Sequence, residues 1–400
     1  MSRRTFAAFG VAAVIGIAVG GAVGLAANGG KPKATITPPP SAAAKLPPLR
    51  PVVPQTMLAW TPGQLPPGLA RHVAGLPTVA HAVPVVSGTG WLTRSYSAAG
   101  AVMSHPPRGF AIPLEVAGAI LPAYAPFLSP QDRSFLPELA AGEGILGSTS
   151  AKIRHLGAGG VLRFAAQRIR IAGVVPDTAI GANEVFVSRA TAAKLRVRRE
   201  RYLLIDPKRG ASIEGIAARI RALLPRGVPM MIRGPNQTTY LRQGDAVLPQ
   251  VILKELFGEF AARPAGGGFL QIDPAWESAH IVTARVPILG RVTCNRGIVP
   301  QLRGALGAIQ QEGLSQLIDL SQYGGCFVPK FLLHDPTAGI SHHTWGIAID
   351  INVGTNVFGH TPHQDARIVA EFARWGFIWG GRFLVPDGMH FEFIRFASGG

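Results

Sequence analysis

Two short segments near the carboxyl end hold the residue types of a hydrolytic metal site. The first reads Ser341-His342-His343-Thr344-Trp345-Gly346-Ile347-Ala348-Ile349-Asp350 and the second Asp387-Gly388-Met389-His390. Imidazole nitrogen and carboxylate oxygen are donors that a catalytic zinc ion takes, and three protein ligands leave a fourth tetrahedral position for water. His343, Asp350 and His390 supply such a set. Asp387, three residues before His390, is then a spare carboxylate. It can take a proton from a water whose pKa the metal lowers to about 7 and pass it to a leaving amine. Amide hydrolysis is the chemistry that follows.

Those side chains need rigid elements to bring them together. Gly346 to Asn352 alternates as a half-buried strand does, with Ile347, Ile349 and Ile351 on one face and Ala348, Asp350 and Asn352 on the other. Met389, Phe391 and Phe393 alternate likewise with His390, Glu392 and Ile394. Two strands that each bury an apolar face can present Asp350 and His390 on the opposite one, and His343 joins from the turn entering the first strand. His342 adjoins His343 and on residue type alone is an alternative ligand. Glu392 reads either as the hydrogen-bond partner that a ligand imidazole usually requires or as an ordinary exposed glutamate. Ser341 either hydrogen-bonds substrate or shapes the turn. Trp345, Trp375 and Trp379 read as core or cleft wall.

The pattern Ser-x-His-x-x-Gly-x-Ala-x-Asp at 341–350, followed by Asp-x-x-His at 387–390, resembles a family of cell-wall zinc peptidases. These are the VanY-type D-alanyl-D-alanine carboxypeptidases and the L-alanyl-D-glutamate endopeptidases. The resemblance covers the chain from about residue 270 to 396. It implies a Zn2+ cofactor held by His343, Asp350 and His390, with His343 preferred over His342, and Asp387 as the general base. It also implies a basic group upstream of the serine segment to steady substrate or oxyanion. Family members commonly use arginine there; the Gly324–Lys330 segment offers Lys330, whose ammonium carries charge without a bidentate fork, and Arg296 is the other candidate. The Asp-x-x-His form leans towards the endopeptidase branch.

The amino end says where such an enzyme works. Ser2-Arg3-Arg4 precedes an uncharged Ala, Gly and Val-rich run from Phe6 to Asn28, roughly 33 Å long if helical and so able to span a bilayer. The positive flank keeps the amino end in the cytoplasm and sends the rest outside. Ser-Arg-Arg-x-Phe also resembles a twin-arginine export signal. The long apolar run and weak cleavage site favour a retained anchor at the cell membrane; cleavage near Ala26 or Ala27 would make the protein secreted. Cys294 and Cys326 suit an oxidising exterior and are expected to form a disulfide, worth roughly 3 to 4 kcal/mol.

A formal charge of +17 invites a nucleic-acid reading. The basic residues are spread thinly, however, and only Arg196-Val197-Arg198-Arg199-Glu200-Arg201 forms a cluster. An exported cationic protein is better explained by attraction to an anionic envelope, and no nucleic-acid partner is expected.

The expected organisation is α+β throughout. Residues 1–28 form the signal or transmembrane segment, and 29–54 a Pro/Ala-rich exterior linker with Pro38-Pro39-Pro40 inside it. Residues 55–245 form an α+β middle domain, and 246–400 a zinc peptidase domain with a small antiparallel sheet. In the middle region Gly142–Gly147, the strand ending Gly173-Val174-Val175, and Glu184–Val187 leading into a helix at 189–195 resemble, in their order, the extracytoplasmic domain of MacB-type transporter permeases. That region shows no catalytic constellation, so binding, spacing or regulation is its expected role, with an envelope protein as partner. Further helices are expected at 213–224, with Ile216, Ile220 and Leu223 on one stripe, at 301–312 and at 364–375.

The function expected is hydrolysis of peptidoglycan stem peptides outside the cytoplasm. The alternative is a non-catalytic envelope protein contacting a transporter or division complex through its middle domain. A serine or cysteine hydrolase is disfavoured, since no nucleophile sits beside an apt base.

Overall fold

The computed structural model describes residues 56–165, 167–237 and 248–396. The expected membrane segment, the linker and the boundary at 245–246 lie outside the described residues. Among the described residues, no helix is long and apolar enough to cross a membrane.

Ten strands of the first half make one large mixed sheet. They are β1 (Met57–Trp60), β2 (Val79–Tyr96), β3 (Val102–Ser104), β4 (Ile112–Ala119), β5 (Gly144–Gly147), β6 (Val161–Phe164), β7 (Gln167–Val175), β8 (Val185–Ser188), β9 (Glu200–Pro207) and β10 (Met231–Arg233). Their order is β10-β1-β9-β2-β4-β8-β5-β7-β6, with β3 on β2. The long β2 pairs in turn with β9, with β4 through Val86–Leu92, and with β6 through Leu92–Tyr96. Because β6 returns to β2, the strands β2, β4, β8, β5, β7 and β6 close a circuit. Gly90 lies where β2 passes from β4 to β6. A Cβ there would stand 2.8 Å from Val116 and 2.9 Å from the Phe164 ring, so only glycine lets the strands approach. Side chains on β8 alternate between two cores: Phe186 joins Leu58, Trp60, Tyr124 and Tyr202, whereas Val185 and Val187 join Leu92, Leu114 and Leu146.

The expected strand at 184–187 and helix at 189–195 occur as β8 and Arg189–Lys194, the helix capped by Ser188, whose Oγ accepts from Thr191 N. The expected helix at 213–224 ends earlier, spanning Ile213–Ala222. Ile216 and Ile220 are buried, but Leu223 lies past the last turn and is exposed. The apolar stripe therefore stops one residue short of expectation.

The second half carries three small antiparallel sheets: β11 (Ala262–Gly266) with β12 (Phe269–Ile272), β13 (Ile281–Val286) with β14 (Gly290–Asn295), and β15 (Ala348–Asp350), β17 (His390–Phe393) and β16 (Phe377–Trp379) in that order. Helices Val299–Gln311 and Ala366–Arg374 pack on each other. Leu302, Leu306 and Ile309 of the first, with Ile368 and Phe372 of the second, are fully buried in one core with Phe377, Phe391 and Phe393.

Both site strands are shorter than their alternation implies. Gly346, at φ 67°, closes the preceding turn, and Asn352, at φ 53°, ends extended structure beyond Asp350. Nor is β15 half-buried: Ala348, on the face opposite the isoleucines, is also fully buried. The 324–325 segment covers the strand, since Asp350 N donates to Gly325 O at 3.1 Å and Gly324 N to Asp350 O at 2.9 Å.

The halves meet through backbone and charge. Ala111 and Ala262 exchange two N–H···O bonds of 3.0 and 2.8 Å. Arg154 bonds Glu184 and Glu259, and Lys254 Nζ lies 2.6 Å from Glu184, a buried network in which each charge has a partner. Arg201 donates to Gly63 O at 2.9 Å and to Thr337 O at 2.5 Å.

Candidate metal centre

Ser341 begins the site locally. Its Oγ accepts from His343 N at 3.3 Å and caps the short turn His342–Trp345. Thr344 Oγ1 exchanges bonds of 3.1 Å with both the N–H and the C=O of Lys330, holding that segment against the turn. In the ladder of β15 and β17, Asp350 stands directly opposite His390.

Three atoms converge. His343 Nε2 is 3.2 Å from His390 Nδ1 and 3.2 Å from Asp350 Oδ1, and His390 Nδ1 is 3.0 Å from Asp350 Oδ1. Among the described residues, these three form the one group of His, Cys, Asp or Glu with metal-binding spacing. Donors about 2.0–2.1 Å from a tetrahedral ion stand roughly 3.3 Å apart, close to this triangle.

The other ring nitrogens decide which way the lone pairs point. His343 Nδ1 lies 3.0 Å from Cys326 O, which can only accept, so Nδ1 carries the proton and Nε2 turns its lone pair inward. His390 Nε2 lies 3.2 Å from the carboxylate Oε2 of Glu392, an acceptor that favours the proton on Nε2 and leaves Nδ1 facing His343 and Asp350. In these tautomers the triangle holds three acceptors and no shared proton. A cation is what satisfies it, and the residues fit a metal ion. The charge balance agrees. Burial opposes ionisation of Asp350, yet the flanking histidines hold its carboxyl well below the usual range. Burial would lower His390, but Asp350 and Glu392 outweigh it and push the ring up to about 10, so a cavity without metal draws a proton instead.

Glu392 is buried and is not an ordinary exposed glutamate. Its Oε2 also lies 2.9 Å from His342 Nδ1, so His342 points away from the triangle. Cys326 is bonded to Cys294 of β14, as expected, and this disulfide ties the carbonyl that orients His343 to the sheet.

Asp387 N donates to Gly380 O at 2.9 Å, and His390 N to Asp387 O at 3.2 Å, a turn that sets the Asp387 carboxylate beside the triangle. Trp379 Nε1 secures the turn by donating to Gly388 O at 2.8 Å. Burial raises the Asp387 carboxyl above its ordinary value, against the opposing charges of His390, His343 and Lys330. Its Oδ1 is buried with no hydrogen-bond partner among the described residues.

Lys330 is half-buried and close enough for its charge to act on Asp387. Arg296 is not brought to the cluster: it is exposed, and its guanidinium donates to Ser278 O at 3.3 Å. Sequence reasoning missed Tyr323, whose hydroxyl is raised by burial and by the neighbouring Asp350. It also missed the Cys326 carbonyl, for which backbone chemistry leaves no sequence signal.

Fold and site together define a mixed α/β protein with a buried His-Asp-His group at metal-binding spacing in its second half. Residues 335–393, which contain the triad and Asp387, match the D-alanyl-D-alanine carboxypeptidase family. Residues 7–223, more than half of the chain, match the MacB-like periplasmic core domain, and the chain belongs to that family. No curated protein matches. Similar solved structures include the periplasmic region of MacB from Actinobacillus actinomycetemcomitans, at 12% identity over 46% of this chain and 89% of that one, TM-score 0.33. Another is the extracellular domain of the noncanonic ABC-type transporter YknZ from Gram-positive bacteria, at 12% identity, covering 44% of this chain and 99% of that one, TM-score 0.29. A third is a domain of a putative permease protein from Porphyromonas gingivalis, at 14% identity, covering 52% and 98%, TM-score 0.31.

Proposed function

We propose that the chain is an extracytoplasmic zinc metallopeptidase that hydrolyses amide bonds in the stem peptides of peptidoglycan. One observation carries this reading: His343 Nε2, His390 Nδ1 and Asp350 Oδ1 converge, and Asp387, close enough for the charges of all three to act on it, has a buried oxygen with no partner among the described residues. The family match over 335–393 supports the substrate class.

His343, Asp350 and His390 would hold the ion. When bound, zinc supplies a Lewis acid for the scissile carbonyl and lowers the pKa of water to about 7. Asp387 takes the proton of the attacking water and returns it to the leaving amine, a role for which a raised carboxyl is suited. Lys330 lends positive charge to the developing oxyanion or to a substrate carboxylate. Cys326 O and Glu392 keep both rings in the ligating tautomer. The amino-terminal run anchors the chain in the membrane with the bulk outside, a setting in keeping with a periplasmic core domain family and with the disulfide.

Metal analysis of the purified chain, with mass spectrometry of muropeptides after digestion, tests this. Stoichiometric zinc and a released fragment of defined mass are expected. Absence of zinc binding, or cleavage unchanged by Asp387→Ala, rejects the enzyme.

Membership of the MacB-like family favours a second reading, in which the first half contacts a transporter or other envelope complex. Co-purification of a membrane partner with the intact chain and with a zinc-free His343→Ala variant alike would support it.

A further inference from the structure

A cleft of about 880 Å³ opens where the first half meets β11, within the size range of small-ligand sites. Trp91, Arg94, His105, Arg108 and Phe110 line one wall and Arg263 the other. The site exists only because the two halves dock. None of these residues belongs to the metal triangle.

On a chain of net charge +17 a surface arginine is ordinary. Here three guanidinia line one cleft, two on one wall and Arg263 on the other, with no carboxylate in the lining. The contacts of Arg94 and Arg263 are with uncharged groups. Arg94 donates to His105 Nε2 at 2.8 Å, which requires a neutral ring, and lies beside the Tyr96 hydroxyl, whose pKa it lowers. Arg263 donates through Nε to Gln271 Oε1 at 2.8 Å and stacks on Phe110, its guanidinium carbon 5.1 Å from the ring centroid. These contacts orient the forks and leave their charge uncompensated. Pro106, Pro107 and Pro264 stiffen the rim.

A guanidinium fork matches phosphate oxygens, and aromatic walls accept the apolar face of a ring. An acyl chain entering here would lie against bare charge on both sides, whereas a hydroxylated ring offers the guanidinia further acceptors. We propose that this cleft binds a sugar phosphate, its phosphate between Arg94 and Arg263 and its sugar against Trp91 and Phe110. Trp91 meets Phe331 edge-on at 6.2 Å, so the occupied cleft lies one residue from Lys330. The proposal stands without the peptidase reading.

Calorimetric titration of the full chain with glucose 6-phosphate tests it, alongside glucose, inorganic phosphate and phosphatidylglycerol vesicles. Saturable binding of glucose 6-phosphate is expected, with affinity at least about tenfold above that for phosphate and no detectable binding of glucose. Arg94→Ala and Arg263→Ala each lower it by about tenfold or more. Arg108→Ala, at an exposed position, also weakens binding, and because it disturbs no packing it guards against loss through misfolding. Binding that is absent, or unchanged in all three variants, overturns the proposal. So does phosphate binding as tightly as the ester, which marks a bare anion site, or vesicle binding that glucose 6-phosphate does not displace, which marks a lipid surface.

Discussion

Glu392 Oε2 stands 3.2 Å from His390 Nε2 and thereby decides which nitrogen of that ring faces Asp350. The contact is made two residues along one strand, between side chains on the same face, and it leaves the inward Nδ1 basic. Glu392→Gln is expected to lower zinc affinity roughly 10- to 100-fold. A competitive chelator titration measures this, and unchanged affinity would show that the glutamate does not tune the ring.

His343 and His342 are neighbours in sequence but face different partners. His343→Ala is expected to abolish zinc binding, because two protein ligands remain. His342→Ala leaves all three in place and weakens binding only through the shared Glu392. Metal content of the two variants after dialysis distinguishes them; equal retention would reverse the assignment.

Asp387 is raised by burial, so in the metal-free protein its ionised form costs stability. The sign follows from linkage: the folded pKa exceeds the unfolded one, so the penalty is absent below the unfolded value and complete above the folded value. Asp387→Asn is therefore expected to raise the melting temperature of chelated protein at neutral pH and to leave it unchanged in strong acid. With zinc present, the same variant binds metal yet loses hydrolysis by about 100-fold or more. Parallel melts and stem-peptide assays check both halves, and a variant with full activity would exclude Asp387 as the base.

The Cys294–Cys326 bridge spans 32 residues, and removing it by a double alanine substitution is expected to cost about 3 to 4 kcal/mol. Zinc affinity should fall as well, because Cys326 O orients His343 Nδ1. Denaturant unfolding and metal titration of the double variant separate these effects; lost stability with intact affinity would limit the bridge to a structural role.

The alternation of Ile347, Ile349 and Ile351 with Asp350 was legible because a strand's two-residue period sorts side chains by face whatever packs above them. So were the helices Val299–Gln311 and Ala366–Arg374, whose apolar stripes follow the helical period. The ends of β15 were not legible, since Gly346 and Asn352 leave extended structure through backbone torsions that hydrophobic periodicity does not record. Leu223 shows the same blindness at a helix end, where apolar character continued one residue past the last turn.

By itself the sequence determined which residues are able to ligate a metal and that Asp350 and His390 each lie on the face of their strand opposite its large apolar residues, because residue chemistry and local period are properties of the chain. Only the tertiary structure decided that His343 rather than His342 turns inward, since that choice rests on Cys326 O and Glu392, partners supplied from elsewhere in the fold. It likewise kept Lys330 beside the site and left Arg296 bonded to Ser278, because Thr344 pins the Lys330 backbone against the ligand turn. The arginine-lined cleft has the same origin, since its two walls come from halves that meet only when the chain has folded.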